Sequence, residues 1–194
     1  MYTLRTFLVL GVSAFALAAP PTDEPAECLP PKDKMIELAT CCKKLPQLIE
    51  NEVKSVKECF ELVKEKPSKD GPPTPPKPEG FDCMEDCVMS KMGLLDKDKQ
   101  VDAAKLAAVM KDSYTGDWAP IKEVVMKKCE NAAENQKAQC RSGADLIVKC
   151  IFRETYMNCP ASQWTTSDLC KANKERLEKC PKAMPFCPKG EEKQ

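Results

Sequence analysis

Beyond residue 18, apolar side chains recur three and four positions apart, and alternating β-branched runs are absent. Such spacing lines one side of a helix with apolar groups, so the chain is expected to be all-α, with roughly seven or eight short helices and no internal repeat. Pro31 opens a first helix reaching about Lys44. Pro46, suited to a first turn, opens another that carries Leu48, Ile49, Val53, Val56, Phe60 and Val63 on one stripe and stops before Pro67. The pattern then predicts helices from about Phe81 to Met92 and, after the loop GLLDKDKQ, from about Val101 to Lys111. Asp117 is expected to cap the next helix, which has Pro120 in its first turn and Ile121, Val124, Val125, Cys129 and Ala132 on one face. A helix over about Gly143 to Tyr156 buries Leu146, Ile147, Cys150, Ile151 and Tyr156, and Ser167 caps a last helix to about Lys179.

Residues 67–80, PSKDGPPTPPKPEG, cannot be helical, because proline lacks the N–H and clashes with the preceding turn. They are expected to run as an extended polyproline loop over the surface. Residues 1–18 read as a signal peptide: Arg5 supplies the positive start, Phe7 to Leu17 are apolar except for Gly11 and Ser13, and Ala16-Leu17-Ala18 fits small-x-small cleavage after Ala18. The apolar run is shorter than the about 20 residues a bilayer requires, and no other segment approaches that length. The expectation is therefore a secreted, extracellular protein with no membrane insertion. Its single domain covers 19–194, with 67–80 as a loop and 181–194 as a tail rich in Pro and Lys. A PxxP ligand for an SH3 domain could be read in the loop, but secretion separates it from a cytosolic partner and leaves a linker.

Composition narrows the function. The 194 residues include no histidine, 30 Lys+Arg and 30 Asp+Glu. Without an imidazole, a Ser-His-Asp or Cys-His machine, a His-ligated zinc or haem, an HEXXH helix and the phospholipase A2 base are all excluded. Zero net charge without a basic block offers nothing to neutralise phosphates, so nucleic acid is not an expected partner. Asp82, Glu85 and Asp86 lie within one turn around Cys83 and could offer paired carboxylates for acid-base work. A solvated acidic face near a helix start, favoured by the helix dipole, explains them without chemistry. No catalytic residue, metal or cofactor is expected.

Thirteen cysteines in a secreted chain of this size indicate a disulfide framework. No Cys-x2-Cys pair and no histidine are present to build a zinc site. Each bridge contributes roughly 2 to 4 kcal/mol, so about six of them suffice to hold a domain with a hollow centre. Cys83 and Cys87 are four apart in CMEDC, on one face of one helix, and can be stapled to two different neighbours. The adjacent Cys41 and Cys42 should likewise bridge to two separate elements. Helices fastened around a shared interior follow from these spacings and from Cys129, Cys140, Cys150, Cys159 and Cys170.

The run Cys83-x3-Cys87, about forty residues to Cys129, then Cys140-x9-Cys150-x8-Cys159-Pro160-x9-Cys170, resembles the Plus-C subgroup of insect odorant-binding proteins. The words CVMSKMGLLDKDKQVDAAKL and VKCIFRETYMNCPASQW, and the early CC followed by Leu-Pro, are similar to that family. The resemblance covers Cys28 to Cys170; Cys180 and Cys187, and a short gap between Cys129 and Cys140, depart from it. It implies helices around an apolar cavity and a carrier of small hydrophobic molecules such as odorants or semiochemicals through aqueous fluid. It also implies a chemosensory receptor as a further partner, and a monomer or weak dimer. The family's core pairing, carried over, gives Cys59 to Cys87, Cys83 to Cys150 and Cys129 to Cys159, with Cys42 as the alternative to Cys59. Cys28, Cys41, Cys140 and Cys170 would supply additional bridges. A carrier of non-olfactory lipids or hormones, and a cavity-free cysteine-rich interaction protein, stay open beside this reading.

Candidate pocket residues are the apolar groups expected to converge inward: Phe60, Val63, Met89, Met92, Leu95, Met110, Trp118, Ile121, Val125, Ile147, Ile151, Phe152 and Tyr156. Any one of them is equally ordinary core packing. Nine methionines suit an adaptable wall. Without histidine, only carboxylates with pKa near 4 remain to titrate, so binding is expected to be flat from about pH 7.5 to 5.5 unless burial raises one. Parity leaves at least one of the thirteen cysteines unpaired, expected at Cys180 or Cys187; if these close a loop together, one of Cys41, Cys42 or Cys140 is left over.

Overall fold

A computed structural model describes residues 25–29, 38–64, 83–134 and 136–185. The signal peptide at 1–18, the proline-rich loop at 67–80, Asp82, the helix start at Pro31, Cys187 and most of the tail lie outside the described residues. The described residues hold seven α-helices: α1 Leu38–Cys41, α2 Glu50–Lys64, α3 Met84–Lys91, α4 Ala103–Ser113, α5 Ala119–Cys129, α6 Ala144–Met157 and α7 Asp168–Lys179. Short 3-10 turns cover Ala26–Cys28 and Gly116–Trp118. Among the described residues there is no strand, only isolated antiparallel bridges at Cys42 with Trp164 and Leu95 with Val101. No described helix is long and apolar enough to cross a membrane.

The chain gathers into two compact units. One, here the terminal unit, takes the chain up to Leu45 and from Tyr156 onward; the other, the central unit, is Pro46–Thr155. Among the described residues, each unit holds three disulfides of its own. In the terminal unit Cys28 joins Cys180, Cys41 joins Cys170 and Cys42 joins Cys159. In the central unit Cys59 joins Cys87, Cys83 joins Cys140 and Cys129 joins Cys150. The Cα atoms of the central pairs are 6.0, 5.3 and 5.5 Å apart, within the reach of a disulfide.

In the terminal unit, Ser167 caps α7 as expected, its Oγ accepting the Cys170 N–H at 3.2 Å. Backbone bonds from Lys43 to Gln163 and from Thr165 to Cys41 lay the CC segment beside residues 163–165. The adjacent cysteines do face separate elements, Cys41 toward α7 and Cys42 toward the turn after α6. Arg176 donates to the carbonyls of Cys28 at 2.7 Å and Met184 at 2.5 Å, while Asn173 donates to the Pro185 carbonyl at 2.7 Å. The start of the tail is therefore packed, with Pro185 fully buried.

In the central unit, α2 packs on α3 across Cys59–Cys87, and α5 packs on α4 and on the Gly116–Trp118 turn. Several helix starts differ from the sequence expectation, each for a local reason. Pro46 is not in a helical turn: α2 starts at Glu50, where Glu52 reaches back to the Ile49 N–H and satisfies the end that Pro46 cannot. The helix expected from Phe81 starts at Met84, because Cys83 is extended and its sulfur accepts the Asp86 N–H. Asp102 accepts from Ala104 and Lys105 N–H, which moves the α4 start from Val101 to Ala103. Asp117 is no cap; it sits inside the 3-10 turn that leads directly into α5. The apolar stripes are also narrower than expected. Leu48, Val53 and Val124 are about two-fifths exposed, Ser55 and Cys59 are the buried positions among the described side chains of α2, and Ala132 lies past the end of α5.

The pairing implied by the resemblance is corrected at two of three places. Cys83 takes Cys140 rather than Cys150, because Asp86 and Asp145 fold the 139–143 segment onto the start of α3. Cys150 is then taken by Cys129, the last residue of α5, and Cys159 by Cys42. Cys180 is not left over, since it closes on Cys28.

Candidate ligand-binding site

Twelve of the thirteen candidate pocket residues belong to the central unit, and burial sorts those whose side chains are described into two groups. Met89, Met110, Trp118, Val125 and Ile147 are buried, which is the signature of core packing. Phe60, Met92, Leu95, Ile121, Ile151 and Phe152 are only half-buried and keep apolar surface that a ligand could cover. The side chain of Val63 is outside the described set. Tyr156 belongs to the terminal unit, where its ring packs edge-on against Trp164 at 5.3 Å and its hydroxyl accepts from Asn173 at 2.9 Å. Burial raises its phenol above the usual range.

Polar groups that the sequence reading passed over lie inside the same unit. Thr155 donates its one hydroxyl proton to the Ile151 carbonyl at 2.6 Å, so the Tyr114 hydroxyl, 2.5 Å from Thr155 Oγ1, must be the donor of that pair. Tyr114 is buried, its ring edge-on to Trp118 at 5.9 Å. Burial pushes its phenol up to about 12, with the charge of Glu52 adding to the effect. Burial likewise pushes Glu52 up to about 7, opposed by the Ile49 N–H. Glu52 is a burial-raised carboxylate of the kind excepted from the expectation of flat binding between pH 7.5 and 5.5. The available signal was its place three residues after Ile49 on the edge of an apolar stripe.

Of the acid-base candidates, Asp86 is committed to the fold. Asp86 is buried rather than solvated, accepting from the Ser142 hydroxyl and from the Arg141 N–H at 3.1 Å. Asp145 accepts from the Gln139 and Cys140 N–H groups at 3.1 and 3.2 Å. Together they fix the 139–143 segment. Burial raises Glu85 above the usual carboxylate range, with Asp145 and Asp86 adding repulsion. Cys83, Asp86 and Cys140 come close enough for a metal, but the two sulfurs are bonded to each other and leave no ligand set.

An open groove of about 500 Å³ runs over the central unit, lined by Lys54, Lys57, Glu58, Glu61, Leu62 and Lys91. Lys91 holds Glu58 at 2.9 Å and keeps its carboxyl below the usual range. Five of the groove's six lining side chains end in a charge, carried on aliphatic stems that join Leu62 in the lining.

Comparison with known proteins fits this helical, disulfide-closed architecture. A match to the PBP/GOBP family spans residues 29–154. General odorant-binding protein 67 of Anopheles gambiae is 22% identical over 154 residues, 74% of this chain and 74% of that protein. General odorant-binding protein 68 of the same organism is 27% identical over 112 residues, 50% of this chain and 53% of that protein. The family match takes in nearly all of the central unit and well over half of the sequence, and the chain belongs to the PBP/GOBP family.

Proposed function

We propose that this protein is a secreted carrier that reversibly binds small hydrophobic ligands, such as odorants or semiochemicals, and moves them through aqueous fluid without chemical change. The observation that carries the reading is the family match over 29–154, which coincides with the unit where Phe60, Met92, Leu95, Ile121, Ile151 and Phe152 keep apolar surface open. The names of the two Anopheles relatives support odorants as the ligand class. The signal peptide read at 1–18 supports secretion, and the six bridges suit the cysteine-rich Plus-C subgroup that the sequence resembles. A chemosensory receptor is the natural recipient of such a cargo.

Covering about ten ligand methylenes yields roughly 8 kcal/mol, less an association cost of several kcal/mol, so affinities are expected to be micromolar. The test is titration of the fully oxidised protein with N-phenyl-1-naphthylamine, followed by displacement with volatile alcohols, esters, ketones and fatty acids. Saturable uptake and displacement are expected. Absence of uptake overturns the carrier reading and favours a cavity-free interaction protein.

A further inference from the structure

Ser113 closes α4 on the buried stripe that also holds Leu106 and Met110. The residue is 8% exposed, and its Oγ has no hydrogen-bond partner. Even the carbonyl of Val109, four residues back and the usual resort of a helical serine, does not receive its proton. Leaving a buried hydroxyl unpaired costs on the order of ten- to a hundredfold in the folding equilibrium, so such a group calls for a cause. Ordinary packing supplies none. Alanine would fill the same stripe at no such cost, and α4 already uses alanine at four positions.

Two other buried hydroxyls of the central unit are committed. The proton of Thr155 goes to the Ile151 carbonyl and that of Tyr114 goes to Thr155, so neither has a proton left to offer. The carboxylate of Glu52 can only accept when ionised. Ser113 keeps both its proton and its lone pairs uncommitted, on a stripe otherwise made of Leu106 and the adaptable Met110.

We infer that Ser113 is the polar anchor of the ligand site: its hydroxyl donates to an oxygen of the bound molecule, so the chain prefers apolar ligands bearing a carbonyl over hydrocarbons of the same shape. The inference rests on the carrier reading above. A site built to hydrogen-bond its ligand discriminates against the analogue that lacks the partner, because the buried protein group is then left unpaired.

The experiment uses the full oxidised chain and its Ser113→Ala variant. Each is loaded with N-phenyl-1-naphthylamine and titrated with 2-alkanones of seven to thirteen carbons and with the matching alkenes in which =CH2 replaces the carbonyl oxygen. The parent should bind its best ketone about tenfold more tightly than the isosteric alkene. Ser113→Ala should lose that preference through weaker ketone binding alone, with alkene affinity unchanged. Its ligand-free melting temperature should be equal to or above that of the parent, because no bond is lost. Probe binding without any ketone preference, with no ketone displacement, or with a preference that survives Ser113→Ala overturns the anchor and leaves the carrier reading standing. A lower ligand-free melting temperature in Ser113→Ala also overturns it, since the hydroxyl would then be serving the fold. A parent that fails to take up the probe removes the carrier reading and the anchor with it.

Discussion

The carboxylate of Glu52 accepts the backbone N–H of Ile49. The contact is half of a capping box: it satisfies the exposed amide at the start of α2, but it draws a carboxyl into partly buried surroundings where its charge is poorly solvated. A group held near pH 7 by burial titrates where the absence of histidine would otherwise leave the protein silent.

The sign of the effect on stability follows from the direction of the shift. Glu52 is raised from 4.5 to about 7 in the folded chain, so its favourable contribution is complete below pH 4.5 and is lost as pH rises toward 7. The full effect is at most roughly 3 kcal/mol. Burial raises Glu85 as well, and it acts in the same sense. Melting temperature should therefore fall between pH 5 and 7.5, and Glu52→Gln should flatten most of that slope. Thermal melts of both proteins across the interval check it; a parent curve as flat as that of the variant refutes the assignment.

Gly143 stands immediately before α6 with φ +74, and a Cβ placed there would collide with the methyl group of Ala133. Gly143→Ala combines a left-handed conformation unsuited to an L side chain with an overlap against an unyielding neighbour. A loss of about 2 to 4 kcal/mol is expected. Adding Ala133→Gly should recover the steric part but not the conformational part, which denaturant unfolding of the single and double variants would separate.

Cys83→Ser and Cys140→Ser should destabilise the protein equally, by about 2 to 4 kcal/mol, and the double substitution should cost no more than either alone. The same equality should hold for Cys129→Ser and Cys150→Ser. Non-reducing peptide mapping gives the direct check. A peptide pair joining Cys83 to Cys150 would restore the pairing implied by the family resemblance and displace the one described here.

Twelve of the thirteen cysteines pair with one another, which leaves Cys187 without an intrachain mate. Alkylation without reductant should add one group per chain, at Cys187, with a minor disulfide-linked dimer that Cys187→Ser abolishes. Intact mass reads the number. Three adducts would mean that one of the six bridges does not form.

What could be read from the sequence was what local chemistry decides. Ser167 starts α7 because a serine oxygen three residues before Cys170 meets its N–H, a contact within one turn of chain. The start of α2 is not legible because Pro46 is a strong helix-opening residue, whereas the acting cap joins Ile49 to a glutamate that looks like any surface charge. Cysteine partners were legible as a set but not as pairs. Pairing depends on where Asp86 and Asp145 carry the 139–143 segment, a contact across 55 residues in the case of Arg141 and Asp86. Apolar residues could be counted but not sorted. Ile121 and Val125 are four apart on one helix, yet one is half-buried and the other fully buried.

The three bridges of the terminal unit are nested, spanning 152, 129 and 117 residues, while those of the central unit span 28, 57 and 21. Synthesis delivers Cys28, Cys41 and Cys42 first and their mates last, after every cysteine of the central unit has emerged. Oxidation during elongation would thus complete the centre while three early thiols stand waiting. A wrong bond between one of them and a central cysteine is the trap open to this order of emergence, and only attack by a further thiolate reopens such a bond.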